Sequence, residues 1–369
     1  MSGRRWSRGA WAARLLVWVA ALTPWLCSEQ PLLELADGRL SSPASRAVAE
    51  TDGASALVWL ALVAADALLA LRARVLRRAV VVALALLAGL VLFERASLPL
   101  PTAARFALAA PIAHSPDRAD WELLSRPETA LPAGPSARHW LGTDSAGRDL
   151  LARLLHALRA SLEIGLAAAA IALLVGLAVG LACGTLRGAV DFVLMRVIET
   201  LLCFPYLFLV LVVFTFLPRG RGTLIGLLGL VGWTAIARLV RGEFLRLADA
   251  EFVLAARALG ATRWQVAWRH LLPNALTPVW PATTFAVAGA LLAEFSLSWL
   301  GCGVPEPAAS LGALLADGQR QLARGEIWLT LVPSVAMVAI VLAFHAWGER
   351  LRESTTPEAA ARAARGELR

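Results

Sequence analysis

Ionisable side chains within strongly apolar runs are the residues of this sequence whose chemistry first needs an explanation. They are Asp66, Glu163, Glu199, Arg238 and Glu294. A charge inside a membrane is costly, and it commonly marks a proton relay or a solute pathway. Glu163, Arg238 and Glu294 lie near the ends of their runs, which predicts side chains that reach out to the interface. Glu199 precedes Pro205, a helix-kinking residue, so these two residues are predicted to line a pathway.

Groups that could perform catalysis or hold a metal are scattered along the chain. His139 and Asp144 are two candidate metal ligands without a third, so structural roles are predicted for both and no metal site is predicted. The cysteines at 27, 183, 203 and 302 lack metal-ligand spacing and fit small hydrophobic roles. No nucleophile–base arrangement and no glycine loop for phosphates is found, so the sequence predicts no catalytic residue, no cofactor and no ATP site of its own.

The composition places these residues in a membrane. The chain has 369 residues, of which 58% are hydrophobic and 17% are charged. Soluble domains carry roughly 25% charged residues, so this balance is typical of a membrane protein. The net charge of +8 comes from arginine, since the chain has no lysine. The arginines cluster at the ends of apolar runs, which argues against a nucleic-acid partner and for topology signals.

Eight apolar runs approach the length of about 20 residues that a membrane-spanning helix needs. Five meet it comfortably or nearly so: residues 160–184, 197–217, 223–240, 276–300 and 327–347. Three shorter runs lie upstream, at residues 15–27, 56–71 and 79–93. The first of these could instead be a cleaved signal peptide. No run alternates as a membrane strand would, so the predicted fold is all-α, a polytopic bundle of membrane helices.

Arginine clusters predict the orientation, because positive residues accumulate in cytoplasmic loops. Clusters precede the first run, fill the turn at 72–78, occupy the loop 241–275 and follow the last run. Eight spans with both termini in the cytoplasm place all four clusters inside and the hydrophilic loop 94–159 outside. Arg219 and Arg221, in a short outer turn, are the exception to this scheme.

The loop 241–275 contains a predicted helical hairpin, whose first helix and turn carry the small residues Ala255, Ala256 and Gly260. Phe252, Ala255, Ala256 and Leu259 recur at helical spacing. Gly260 follows at a position where helices commonly end with a residue at positive φ. The small residues would let another protein surface approach the backbone closely.

The second helix of the hairpin has its own start and stop signals. Thr262 and Gln265 match a capping box. The predicted apolar face comprises Trp264, Ala267, Trp268 and Leu271. Pro273 is predicted to end this helix. The alternative to a docking element is an amphipathic hairpin that packs on its own helix bundle.

The stretch "LAARALGATRWQVAWRHLLP" resembles the signature loop of binding-protein-dependent ABC transporter permeases, EAA-x3-G-x9-I-x-L-P. The matching residues are Ala255, Ala256, Gly260, Leu272 and Pro273, while Leu254 and His270 replace the Glu and the Ile. "HWLGTDSAGRD", from His139, is similar to a segment of the dipeptide, oligopeptide and nickel branch. "LCFPYLFLVLV", "LSWLGCGVPEP" and "LLADGQRQL" match as well.

The resemblance implies an importer subunit that is not itself an enzyme. It would work with ATP-binding cassette subunits, a second homologous permease subunit and an external solute-binding protein, in the bacterial inner membrane. The implied solute is a peptide or a similar small molecule, with nickel as another option. The residues implied to dock the ATP-binding subunit are Ala255, Ala256, Arg257, Gly260, Leu272 and Pro273.

The family's usual core has six spans, so residues 1–76 are predicted to be an added N-terminal segment with up to two more. Residues 77–353 would form the permease domain, and 354–369 a cytoplasmic tail. In "HWLGTD", Gly142 would allow a tight turn, and Thr143 or Asp144 would cap an interfacial helix over 148–159. The alternative function is a stand-alone channel or secondary transporter, and a membrane-embedded enzyme is a further rival.

Overall fold

The computed structural model describes residues 16–20, 22–23, 26–27, 33–36, 39–41, 106–108, 112, 114–125, 131–305 and 308–355. These residues fall into two compact units. The first unit contains the described residues of 161–305 and 335–355, and the second contains those of 16–160 and 308–334.

The helices, in chain order, are α1 (Trp121–Leu124), α2 (Leu150–Leu186), α3 (Ala189–Leu202), α4 (Tyr206–Thr215), α5 (Arg221–Leu247), α6 (Glu251–Ala258), α7 (Arg263–Val266), α8 (Leu272–Trp299), α9 (Leu311–Gln321) and α10 (Trp328–Thr355). A π turn, Ala267–Leu271, joins α7 to α8. A 3₁₀ turn, Leu322–Arg324, follows α9.

Four helical stretches among the described residues are long and apolar enough to cross a membrane. They are Leu150–Leu186, Arg221–Leu247, Arg263–Trp299 and Trp328–Glu353. The pair α3 and α4 could form a fifth span, bent by 86°. The predicted all-α membrane bundle is thus confirmed. Its count of eight spans stays a prediction, because residues 56–71 and 79–93 lie outside the described part and 15–27 are described only in part.

The second unit contains a small antiparallel sheet that the sequence did not predict. Strands β1 (Leu33–Ala36), β2 (Arg39–Ser41) and β3 (Phe106–Leu108) have the order β2-β1-β3. Leu35 pairs with Leu40 on one side and with Phe106 on the other. The sheet joins two stretches of the chain that were predicted to lie outside the membrane, so it adds to the helical class without changing it.

Helices α2 and α5 approach each other closely along a row of glycines in the first unit. Gly176, Gly180 and Gly184 follow one another at intervals of four residues on α2. A Cβ on Gly180 would lie 2.6 Å from the Cβ of Val240 and 2.7 Å from the carbonyl oxygen of Ala237. Residues four apart share one helix face, and small residues there let membrane helices pack backbone against side chain. The α2–α5 contact therefore depends on having no side chain at these positions.

Helix α2 is one continuous helix, so the predicted separate helix over 148–159 is wrong. Its 37 residues span about 55 Å at 1.5 Å per residue, well beyond the roughly 30 Å hydrocarbon core. No proline or glycine interrupts the sequence between Leu150 and Glu163. Nor do its leucines form an exposed face, since Leu150 and Leu158 are buried and the leucines at 151, 154 and 155 are half-buried.

The predicted run 197–217 is broken rather than straight. Helix α3 ends at Leu202, and Pro205 is the N-cap of α4. A proline lacks the backbone N–H that a helix interior needs, and its ring clashes with the preceding turn. The predicted kink at Pro205 is confirmed, and it is sharp enough to divide the run into two helices.

Candidate docking hairpin

The turn of the hairpin between α6 and α7 is closed by the chemistry that its sequence predicts. Gly260 has φ +86°, as expected for a helix-ending glycine. The N–H of Gly260 donates to the carbonyl of Arg257 at 2.9 Å, and that of Ala261 donates to Ala256 at 3.1 Å. These two bonds form a Schellman motif, which satisfies carbonyls at the end of α6.

The start of α7 is fixed by the predicted capping box. The N–H of Gln265 donates to the Thr262 hydroxyl at 3.3 Å, and the N–H of Thr262 donates to the Gln265 side-chain oxygen at 2.8 Å. Both ends of the turn are therefore held by local hydrogen bonds, and the hairpin has a defined shape.

The predicted stop at Pro273 is wrong. The chain stays helical from Arg263 to Trp299, and Pro273 lies in the first turn of α8. A proline is tolerated in the first turn of a helix, where its missing N–H has no partner to lose. The π turn before it shifts the hydrogen-bond register, with the N–H of Leu272 donating to Ala267, five residues back. The second arm of the hairpin is thus the start of a membrane helix.

One side of the hairpin belongs to the core of the first unit. Val253, Val266, Ala267 and Leu271 are at most 4% exposed. They pack in one cluster with residues of α2, α3, α5 and α8. The predicted second-helix face is accordingly only half right, because Ala267 and Leu271 are buried while Trp264 and Trp268 are exposed.

The other side of the hairpin is apolar and exposed. Leu259 is 89% exposed, and Phe252, Leu254, Trp264 and Trp268 are between 42% and 60% exposed. The face predicted on α6 is therefore not covered by the described part of this chain. An apolar patch of this kind, rimmed by charge, marks an interaction surface.

The predicted docking residues differ in their exposure. Ala255, Arg257, Gly260 and Pro273 are exposed, whereas Ala256 and Leu272 are half-buried. Leu272 also packs against the core cluster, so its contribution is partly structural. The structure thus brings Ala255, Arg257 and Gly260 to one open turn, and it sets Leu272 back toward the bundle.

A cavity of about 370 Å³ lies between the hairpin and the end of α2, and it is lined by arginines. Arg187, Arg257 and Arg263 all contribute to its wall, and no carboxylate does. Within the described residues none of the three makes an ion pair. The hairpin surface is therefore electropositive as well as apolar.

Glu199 and Pro205, the predicted pathway residues, lie on either side of the α3–α4 break. The Glu199 side chain is 47% exposed and forms an ion pair with Arg196, at 2.8 Å. The pair is on one helix, at a spacing of three residues, and contributes little by itself. That Glu199 and Pro205 line a pathway stays a prediction.

Glu294 is a buried residue, so the prediction that it reaches the interface is wrong. It is 0% exposed. The Ser161 hydroxyl donates to Oε2 of Glu294 at 2.8 Å, and the Ser298 hydroxyl donates to Oε1 at 2.7 Å. Buried carboxyl groups need such donors, because an unsatisfied polar group inside a protein costs several kcal/mol, roughly 2–7. Glu294 thus links α2 to α8 inside the bundle.

Arg221, an exception to the arginine pattern, is compensated by a partner. Its Nη1 lies 2.7 Å from Oε2 of Glu163 on α2. The carboxylate offsets the positive charge of Arg221, and the orientation that the other clusters indicate stays a prediction. Sequence spacing alone could not reveal this pair, since the two residues are 58 positions apart.

The segment from His139 folds around two aspartates in the second unit. Gly142 has φ +78°, as its predicted turn requires. Asp149, rather than Thr143 or Asp144, caps α2, because its Oδ1 accepts the N–H of Ala152 at 2.7 Å. Asp144 instead accepts from the backbone N–H of Arg148 and from its side chain. The predicted caps are therefore wrong, although the capping chemistry is of the predicted kind.

Two separate motifs meet in this unit. The Ser145 hydroxyl, in "HWLGTDSAGRD", lies 2.8 Å from Oδ1 of Asp317, in "LLADGQRQL". Gly318 allows α9 to contact the start of α10, since a Cβ there would lie 2.3 Å from the carbonyl oxygen of Leu329. These contacts give both motifs a structural role in one compact unit.

The hairpin lies within a stretch of the chain that matches a known family. Residues 176–355, which include the hairpin, match the family of binding-protein-dependent transport system inner membrane components. The chain is 41% identical over 242 residues to the oligopeptide transport system permease protein OppC of Escherichia coli (strain K12), covering 66% of this chain and 78% of OppC. This chain belongs to that family.

A second permease relative agrees with this assignment. The dipeptide transport system permease protein DppC of Bacillus subtilis (strain 168) is 36% identical over 231 residues, covering 63% of this chain and 72% of DppC. A chain of the MetNI methionine ABC transporter in an inward-facing conformation has a TM-score of 0.47 at 20% identity, covering 56% of this chain and 98% of that one. Family membership rests on the sequence relatives.

Proposed function

We propose that this chain is one membrane-spanning subunit of an ATP-driven importer for peptides or similar small solutes. An external solute-binding protein would deliver the solute. Family membership supplies the transport role, and the names of the OppC and DppC relatives support the peptide class. The observation that carries the partner assignment is the exposed apolar face of the hairpin, with Leu259 at its tip.

The hairpin would dock an ATP-binding cassette subunit, where ATP is hydrolysed. Its inner residues pack in the same cluster as the membrane helices, while its outer residues are uncovered. A partner that moved the outer face would therefore move α5, which joins α6 through the turn at 248–250, and α8, which follows α7 and the π turn without a break. Such rigid-body motion could expose a pathway to each side in turn. A second, homologous permease subunit would complete that pathway.

The alternative of a stand-alone channel or secondary transporter needs no docking surface. It would leave the exposed apolar face, and the arginine-lined cavity beside it, without a role. A hairpin that only packs on its own bundle is also disfavoured, because the predicted α6 face points away from the described core. The importer subunit accounts for both sides of the hairpin.

Co-purification tests the proposed function. We expect the tagged full-length chain, solubilised in mild detergent, to bring down a soluble ATP-binding subunit encoded with it. The chain lacking residues 1–76 should do so equally, since we propose that these residues are an addition to the permease domain. Recovery of the full-length chain without any ATPase would refute the docking role, and loss only on truncation would refute the added-segment proposal.

We propose that the loop 94–159 faces outward and that the loop 241–275 and both termini are cytoplasmic. Pro135 and Arg263 are both exposed, so cysteines placed there should react readily. In a cysteine-free background, a membrane-impermeant maleimide should label Pro135→Cys from the outside of intact spheroplasts. Arg263→Cys should be labelled only in inverted vesicles. Labelling of both from one side would contradict this topology.

A further inference from the structure

His114, His139 and Asp149 form a cluster in the second unit that the proposed transport role does not use. Each of the three offers one ligand atom, and these atoms all lie within 4.8 Å of one another. His139 and Asp149 are buried, and His114 is half-buried. Sequence spacing did not reveal the cluster, because His114 is 25 positions before His139 and Asp149 was not predicted to face them.

One ring nitrogen of each histidine contacts a group outside the three, and Nδ1 of His139 already contacts Asp149. Nε2 of His114 lies 3.0 Å from the carbonyl oxygen of Arg138, which fixes it as a donor. Nε2 of His139 lies 3.1 Å from Oδ2 of Asp120. Metal-binding histidines usually donate their second N–H to such a carbonyl or carboxylate, which sets the ring orientation and raises the basicity of the ligand nitrogen.

The third ligand is already beside the second. Oδ2 of Asp149 lies 2.8 Å from Nδ1 of His139, while Oδ1 is held by the cap of α2. In a tetrahedral zinc site, bonds of about 2.0–2.2 Å place neighbouring ligand atoms roughly 3.3 Å apart. The His139–Asp149 pair needs to open by only about 0.5 Å, and His114 needs to approach by at most about 1.5 Å.

Carboxylates and an open cavity give a cation ligands and access at the cluster. Asp120 and Asp149 bring two carboxylates, while two arginines, Arg118 and Arg138, line the same cavity and Arg138 contacts Asp120 at 3.1 Å. An open cavity of about 710 Å³ is lined by His114, His139, Asp120 and Asp149. An ion could therefore reach the cluster without unfolding of the unit.

We propose that His114, His139 and Asp149 bind one divalent transition-metal ion of the zinc class. Two imidazoles and one carboxylate suit Zn²⁺ and its neighbours rather than Mg²⁺ or Ca²⁺, which take oxygen ligands. The ion links the stretch around His114 to the start of α2, and a fourth position is left for water or an external ligand. This proposal does not depend on the transport role, because it concerns the chain by itself.

Zinc binding to the full-length chain tests the site. The protein is purified in detergent without a polyhistidine tag, stripped with a chelator and titrated with Zn²⁺ against a chromogenic competitor. We expect about one tightly bound ion per chain, and tetrahedral cobalt absorption when Co²⁺ replaces it. His114→Ala should lower the affinity by at least about tenfold, since removing groups behind the ligands alone costs 10–100-fold.

Two further variants separate ligand loss from misfolding. Asp149→Asn removes the anionic ligand, while its amide oxygen can still accept the N–H of Ala152, so it should weaken zinc and keep α2 capped. His156→Ala removes a histidine outside the cluster, whose Nδ1 lies 3.0 Å from the Ala152 carbonyl oxygen, and should bind zinc as the unmodified chain does. Equal affinity in the His114→Ala and His156→Ala variants would overturn the proposal. An unmodified chain that binds no zinc would also overturn the proposal. The cluster would then hold a proton, shared between His139 and the carboxylates of Asp120 and Asp149, in place of a metal ion.

Discussion

Replacing Leu259 by Asp should abolish recruitment of the ATP-binding subunit while leaving the protein in the membrane. Leu259 is 89% exposed, so the change removes almost no packing within this chain. Burial of a leucine against a partner contributes roughly 1.5–3 kcal/mol, and each 1.4 kcal/mol is about tenfold in affinity. The new carboxylate would also have to lose water on docking. We expect a loss of at least about tenfold in co-purified ATPase, and uptake should fall with it.

Three controls make this result specific. Leu259→Met keeps an apolar side chain of similar volume and should recruit normally. Ala255 is exposed on α6, the helix that ends just before Leu259, so Ala255→Arg should lose recruitment of the ATPase as Leu259→Asp does. Leu322→Asp changes another exposed leucine, in the second unit, and should recruit normally. If Leu259→Asp lowered membrane abundance first and left recruitment per molecule unchanged, the hairpin would be a packing element.

Replacing Gly180 by Ala should sharply lower the amount of folded protein in the membrane. The added Cβ would lie 2.7 Å from a backbone carbonyl oxygen and 2.6 Å from the Cβ of Val240. Neither atom can rotate away, so α2 and α5 must separate. Overpacking a core costs typically 1–3 kcal/mol, and contact with backbone places this change toward the upper end.

The matched control for this change is Gly226→Ala on α5. A Cβ at Gly226 meets no atom within 4 Å, so the same chemical change should be tolerated. Membrane abundance and thermal unfolding in detergent, measured on both variants, give the comparison. Equal stability of the two would contradict the close approach of α2 and α5.

In the hairpin, the features that the sequence predicted correctly are those that depend on neighbouring residues. The turn at Gly260 and the capping box at Thr262 depend on residues within a few positions, so local chemistry determines them. The same reasoning placed Pro273 at a helix end, because a π turn leaves no mark in hydrophobic spacing. Which residues of each arm face the core depends on helices α2, α5 and α8, so the two exposed tryptophans were assigned to the wrong side.

The other differences between the predicted and the observed structure come from contacts between residues that are far apart in the sequence. Glu294 was expected to reach the interface, but the hydroxyl of Ser161, 133 positions away, holds it inside the bundle. Asp149 caps α2 and faces His139, although Thr143 and Asp144 have equally good capping side chains. In each case the residue type indicated a polar role correctly. The partner came from tertiary packing, which one sequence does not specify.

The row of glycines on α2 also affects how the subunit can deform. Where Gly176, Gly180 and Gly184 meet α5, helix α2 contributes no side chain, so its backbone packs directly against side chains of α5. Ile236, Val240 and Phe244 lie against the glycines and resist sliding along the axis. We therefore expect this helix pair to be the stiff part of the bundle. Compliance would be concentrated at the break between α3 and α4, where Pro205 has already interrupted the backbone ladder.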